Sequence, residues 1–175
     1  PRGVIGLVPG EIISRDCGYS QKIDLEQDLL KIAVVERHRN TGHIGIGYLK
    51  GYGLKRGAVA TSVSHDSHNI IVVGTSEKEM AEAVNRVAEM NGGIVVCSEG
   101  RVLGAVRLNI AGIMSEDPLA DVNRDLEFAK EQAFSLGVSR EIDPFMTLSF
   151  MSLPVIPSLR LTTRGVFDVS QQKYV

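Results

Sequence analysis

IIVVGTSEKEMAEAVNRVAEMNGGIVVCSEGRVLGAVRLNI, residues 70–110, decides the fold class. Ile70 to Val73 is an unbroken β-branched run, the composition of a strand buried on both faces. Ser76 and Glu79 then have the spacing of a capping box, in which each side chain accepts from an unpaired backbone N–H of a helix's first turn. Met80, Ala83, Val84, Val87 and Ala88 fall on one face of a helix over about Glu77 to Asn91. Gly92-Gly93 stops it, and Ile94 to Cys97 is strand again. Glu99-Gly100 has the chemistry of a tight hairpin turn whose second arm runs from Val102 to Ile110. A strand–helix unit that leads into a hairpin departs from the strict βαβ alternation of a parallel sheet.

The flanks extend this pattern. Asp117 suits an N-cap, Pro118 the first helical position and Gly137 the end of a second helix, with Leu119, Val122, Leu126, Ala129, Ala133 and Leu136 on one stripe. Upstream, Val4 to Val8 and Ile12-Ile13 flank a Pro9-Gly10 turn, and residues 28–38 contain a buried strand. Gly42, Gly45, Gly47, Gly51, Gly53 and Gly57 predict loop-rich backbone. After Pro144, the residues Phe145, Met146, Leu148, Phe150 and Met151 predict a short helical or irregular segment against the core. A closing strand is expected near Leu159 to Thr162. The reading is α+β: a mixed or largely antiparallel sheet, or sheets, with two main amphipathic helices, in a single domain over residues 1–175.

Composition bounds the function. With 43% hydrophobic residues, 175 positions supply a substantial core. Nineteen basic and 21 acidic residues give a formal charge of −2, which removes the electrostatic reason to expect nucleic acid or an anionic membrane as partner. No apolar stretch reaches the roughly 20 residues of a membrane span. Cys17 and Cys97 are too few for a disulfide scaffold, so a reducing, cytoplasmic setting is expected. The chain enters strand-like sequence directly after Pro1-Arg2-Gly3, as a piece of a longer polypeptide would.

The pentad His65-Asp66-Ser67-His68-Asn69 is the chemical focus. It holds two of the four histidines, with a carboxylate, a hydroxyl and an amide, between two apolar runs. The β-branched flanks predict a strand end or tight turn there. Polar groups at such a place must be satisfied locally or used. A structural reading makes Asp66, Ser67 and Asn69 turn formers. A functional one faces the pentad toward a ligand or metal held mainly by another domain. A self-contained metal centre needs three or four ligands, and His38 and His43 lie in a different segment. Gly45-Ile46-Gly47-Tyr48-Leu49-Lys50-Gly51 imitates a dinucleotide fingerprint, but no helix follows and the spacing fails. Gly-x-Ser-x-Gly and HExxH are absent, and no residue of this chain is assigned a catalytic role.

Gly53 to Ala60, followed by Ser64-His65-Asp66-Ser67-His68-Asn69-Ile70-Ile71-Val72-Val73-Gly74, closely resembles the C-terminal domain of microbial adenine deaminases of the amidohydrolase superfamily. Ile32-Ala33-Val34-Val35-Glu36-Arg37-His38, Thr41 to Gly45, Met80 to Arg86, Asp143 to Phe150 and Leu153 to Pro157 match in the same order. The resemblance implies an enzyme that hydrolyses adenine to hypoxanthine and ammonia with a divalent metal, manganese or iron, in an upstream barrel. The barrel's metal-binding histidines and aspartate have no match here, so no cofactor is expected for this domain alone. Its implied partners are that barrel, adenine and further copies in a homo-oligomer. His65, Asp66, Ser67, His68 and Asn69 become candidates to lie beside the substrate or metal.

Three functions follow: a C-terminal portion of an adenine deaminase that helps close or line the barrel's site; a structural or oligomerisation module with Met146, Phe150 and Met151 on an apolar surface; and a free-standing metal enzyme built on His65, Asp66 and His68.

Overall fold

The computed structural model describes residues 1–65 and 67–175. In chain order the strands and helices are β1 (Arg2–Leu7), β2 (Ser14–Ser20), β3 (Leu29–Val35), β4 (Ile44–Lys50), β5 (Ala58–Thr61), β6 (Ile70–Gly74), α1 (Glu77–Glu89), β7 (Gly93–Ser98), β8 (Arg101–Arg107), α2 (Leu119–Ser135), α3 (Pro144–Met151), β9 (Leu159–Thr162), β10 (Gly165–Asp168) and β11 (Lys173–Tyr174). The first eight strands form one sheet in the order β2-β1-β4-β3-β6-β5-β7-β8, and the last three form a second, β11-β10-β9. Only β1 and β4 pair in parallel among the described strands. This is the mixed, mainly antiparallel α+β architecture that the sequence predicts.

Period-two alternation divides the large sheet between two cores. Ile32, Val34, Val59, Ile71, Val73, Ile94 and Val96 join the side chains of α2, α3 and the second sheet. Ala33, Ala58, Ala60, Ile70, Val72, Val95 and Cys97 face the other way, onto Met80, Ala83 and Val87 of α1. The small residues on this second face let α1 sit close. Burying each of the larger side chains contributes about 1.5–3 kcal/mol.

Several local expectations change on contact with tertiary structure. Ser76 caps α1 by accepting from the Glu79 N–H at 3.2 Å. The other half of the capping box is absent: Glu79 Oε1 accepts instead from the Glu99 N–H at 2.9 Å, tying α1 to the β7–β8 turn. Pro118, not Asp117, occupies the N-cap of α2, and it offers no side-chain cap. Asp117 accepts from the Ser115 hydroxyl at 3.2 Å instead. Leu119 starts the predicted stripe but is exposed. Ile12 and Ile13 lie outside the strands, also exposed.

The glycine-rich segment is the largest departure. Much of it is a strand, β4, on which Gly45 and Gly47 point toward the second sheet. A Cβ at Gly45 would overlap the Thr162 carbonyl, and one at Gly47 would stand 2.6 Å from Val166. These glycines clear a seat for β9 and β10. The hairpin partners β10 and β11 were not foreseen in sequence.

Candidate functional site

The β5–β6 connection, residues 62–69, carries the pentad to one end of the large sheet. Because β3 pairs with β6, with Val35 opposite Ile70, the β3–β4 connection (residues 36–43) lies alongside. Two segments separate in sequence are thus neighbours, and the chain's four histidines sit in these two loops.

Loop 62–69 is held from several directions. The His65 N–H donates to the Ser149 carbonyl at 3.2 Å, and Ser152 Oγ donates to the His65 carbonyl at 2.8 Å. Ser64 Oγ lies 2.6 Å from Ser152 Oγ. A hydroxyl has one hydrogen, so with Ser152 donating to His65, Ser64 is the donor between the two serines. The His65 ring packs on Phe150 with centroids 5.3 Å apart, and on the His68 ring at 6.0 Å. His68 has φ 51°, and its N–H donates to the Ser64 carbonyl at 2.7 Å. Asp66 lies outside the described residues.

Loop 36–43 contributes Arg37 and His38. Arg37 Nε donates to the His68 carbonyl at 2.6 Å, and the Arg37 N–H to Asn69 Oδ1 at 3.4 Å. His38 Nε2 stands 2.6 Å from the Ser67 carbonyl. A carbonyl only accepts, so this nitrogen carries the proton. Glu36 Oε1 accepts from the His38 and Arg39 N–H groups, each at 2.6 Å. Its Oε2 accepts from the Thr41 N–H and hydroxyl, each at 3.0 Å. These bonds, that of the Thr41 N–H foremost, hold the Glu36 carboxyl down to about 2.

Beside loop 62–69 lies a cavity of about 220 Å³. Ser67, Asn69, Ser152, Thr162 and Thr163 supply its polar groups, over an apolar floor that includes Val34 and Leu161. Asn69 is only 7% exposed. Its Oδ1 accepts from the Arg37 N–H. A larger hollow of about 390 Å³ lies between α1 and strands β3 and β4. It is mainly apolar, and the two charged groups on its rim, Lys31 and Glu77, pair with each other. Directed polar groups single out the smaller cavity.

Of the candidates read from sequence, His65, Ser67, His68 and Asn69 do come together, in one loop with partners from two other segments. Arg37, His38 and Ser152 were missed. The signal for the first two was present: Glu36-Arg37-His38 are three ionisable residues directly after a buried β-branched run. Of the residues proposed for an apolar surface, Met146 is exposed and Met151 is buried at 3% exposure, and with Phe150 they line one shallow cavity. Among the described residues no group of three or more His, Cys, Asp or Glu is placed to hold a metal ion. Both cysteines are free thiols, Cys17 exposed and Cys97 buried.

Comparison with known proteins gives the chain's family. The family described as "Adenine deaminase C-terminal domain" matches residues 11–173. An adenine deaminase of Bacillus licheniformis is 43% identical over 98% of this chain, which covers 31% of that protein. One of Brucella melitensis is 46% identical over 98% of the chain and 30% of its own length. Adenine deaminase 2 of Carboxydothermus hydrogenoformans is 46% identical over 95% and 30%. The chain thus spans about a third of the length of the curated relatives it matches. It belongs to the adenine deaminase C-terminal domain family.

Proposed function

We propose that this chain is the C-terminal portion of an enzyme that hydrolyses adenine to hypoxanthine and ammonia, and that the end of the sheet bearing loops 36–43 and 62–69 closes or lines the active site of an upstream metal-dependent barrel. The observation behind this reading is the convergence of four histidines, Arg37, Ser67 and the Asn69 amide on one end of a domain whose relatives are named adenine deaminases. Adenine offers ring-nitrogen acceptors and an exocyclic NH₂ donor. Imidazole and carboxamide groups pair with both kinds.

Among the described residues no three His, Cys, Asp or Glu side chains are grouped to hold a metal ion, and Asp66, between His65 and His68, lies outside those residues. The divalent metal that the resemblance implies, manganese or iron, belongs in this reading to the barrel. This chain's share is to bind, orient and exclude water. A cytoplasmic setting and a homo-oligomeric assembly belong to the same proposal. Among the described residues no helix is long and apolar enough to cross a membrane.

The test is steady-state kinetics of the complete enzyme carrying His65→Ala or His68→Ala. The expected outcome is a fall in kcat/KM of roughly a hundredfold or more, the scale of a lost proton-transfer or polar contact, with little change in melting temperature. Full activity in both variants refutes the assignment. Intact activity per folded molecule with lowered stability supports a structural module instead.

A further inference from the structure

Arg37 joins two loops that Ser62, at the start of one of them, also ties together. Its Nε donates to the His68 carbonyl at 2.6 Å, and its Nη2 to the Ala111 carbonyl at 2.7 Å. One planar guanidinium therefore spans residues 31 and 74 positions further along the chain. Both acceptors belong to residues in the left-handed region, with φ 51° at His68 and 54° at Ala111. Side chains other than glycine disfavour that region, and surrounding structure must hold them there. Gly112 completes the fit, because a Cβ at that position would overlap Arg37 Nη2. Ser62 grips the same loop from inside: its hydroxyl donates to the Gly112 carbonyl at 2.6 Å and accepts from the Gly93 N–H at 2.8 Å.

No carboxylate pairs with Arg37 among the described residues. Among the described residues the side chain is thus not half of a salt bridge. A guanidinium presents its donors in a rigid fork, whereas an ammonium is a rotatable point charge. Only the fork spans both carbonyls.

We propose that Arg37 is a positioning residue, which fixes the backbone at His68, sets the direction in which the His68 ring and the Asn69 amide are presented, and couples that presentation to the loop around Ala111. This rests on the reading of loop 62–69 as part of the adenine site. It makes Arg37→Lys a damaging change although charge is kept.

Two readouts in the complete enzyme test it. Hydrogen exchange of Arg37→Lys is expected to rise in residues 62–69 and 108–114 together, while residues 44–50 keep their protection. In kinetics, Arg37→Lys and Arg37→Ala are expected to lower kcat by roughly a hundredfold, the cost of an ångström-scale misplacement. Added guanidinium is expected to return part of the activity of Arg37→Ala, and sodium at equal concentration none. Adding Arg37→Lys to His68→Ala is expected to cost little beyond His68→Ala alone, because one residue acts through the other. Unchanged exchange in either loop, or fully additive losses, overturns the proposal. If His68→Ala is itself fully active, the adenine-site reading falls, and the exchange readout alone decides whether Arg37 is the clamp. Should Arg37→Ala fail to fold, Arg37→Lys carries both measurements.

Discussion

The two loops at the polar end of the sheet are ordered by opposite means. Loop 36–43 largely ties itself. Glu36 collects N–H groups from His38, Arg39 and Thr41 and the Thr41 hydroxyl, and its own N–H donates to the His43 carbonyl at 3.0 Å. Loop 62–69 has few bonds of its own. Ser149 and Ser152 hold His65, Phe150 backs its ring, Arg37 holds His68 and Asn69, and His38 holds Ser67. The first geometry is a property of eight neighbouring residues, while the second is a property of the folded domain. A loop held by rigid elements around it presents its side chains in one arrangement, which is what a ligand contact needs.

Gly45→Ala is the strongest way to separate the two. The new Cβ would overlap the Thr162 carbonyl, so β9 and β10 must retreat and take Thr162 and Thr163, one wall of the small cavity, with them. A backbone shift of this kind is expected to cost about 3 kcal/mol in urea unfolding. The bonds within residues 36–43 should persist while the cavity beside residues 62–69 opens. A loss of less than about 1 kcal/mol would show that the second sheet is loosely seated.

Ser152→Ala acts on one support only. It strands the His65 carbonyl and the fully buried Ser64 hydroxyl, which both rely on Ser152 Oγ. An orphaned buried polar group costs about 1–3 kcal/mol. Amide exchange should quicken in residues 62–69 and stay unchanged in residues 36–41. Equal quickening in both loops would mean that loop 36–43 leans on its neighbour after all.

The same contrast explains what the sequence could disclose. The Ser76 cap, the apolar face of α1 and the Glu99-Gly100 turn, with φ 53° and 77°, are local chemistry and read correctly. Glu79 shows where local reading stops: its spacing fits a capping box, yet its carboxylate finds a better-placed N–H at Glu99, across the fold. Gly45 and Gly47 looked like loop residues because their use, a close approach by a second sheet, depends on strands more than a hundred residues away. In the pentad the residue types announced a site, but its frame did not show. Arg37, His38 and Ser152 enter through the β3–β6 pairing and the packing of α3, which no local pattern specifies.

Acid is the mildest probe and bears most directly on the self-tied loop. The Glu36 carboxyl titrates near 2 in the folded chain against an ordinary value of 4.5. Its folded value is depressed, so its contribution is present above about 4.5 and is lost as pH falls through that value toward 2. Protonation removes the negative charge that accepts from Thr41, Arg39 and His38, the Thr41 N–H bond being the largest cause of the lowered value. Amide protection at Thr41, followed by NMR exchange, should therefore decline between pH 4.5 and 2. The Ser64–His68 backbone bond involves no carboxylate and should not follow that titration. Glu36→Gln should show the loosened state of loop 36–43 already at neutral pH and lose the acid dependence. If Thr41 protection stays flat in the wild type down to pH 2, the carboxylate is not what orders this loop, and the division between a self-tied and an externally held loop fails on its simpler side.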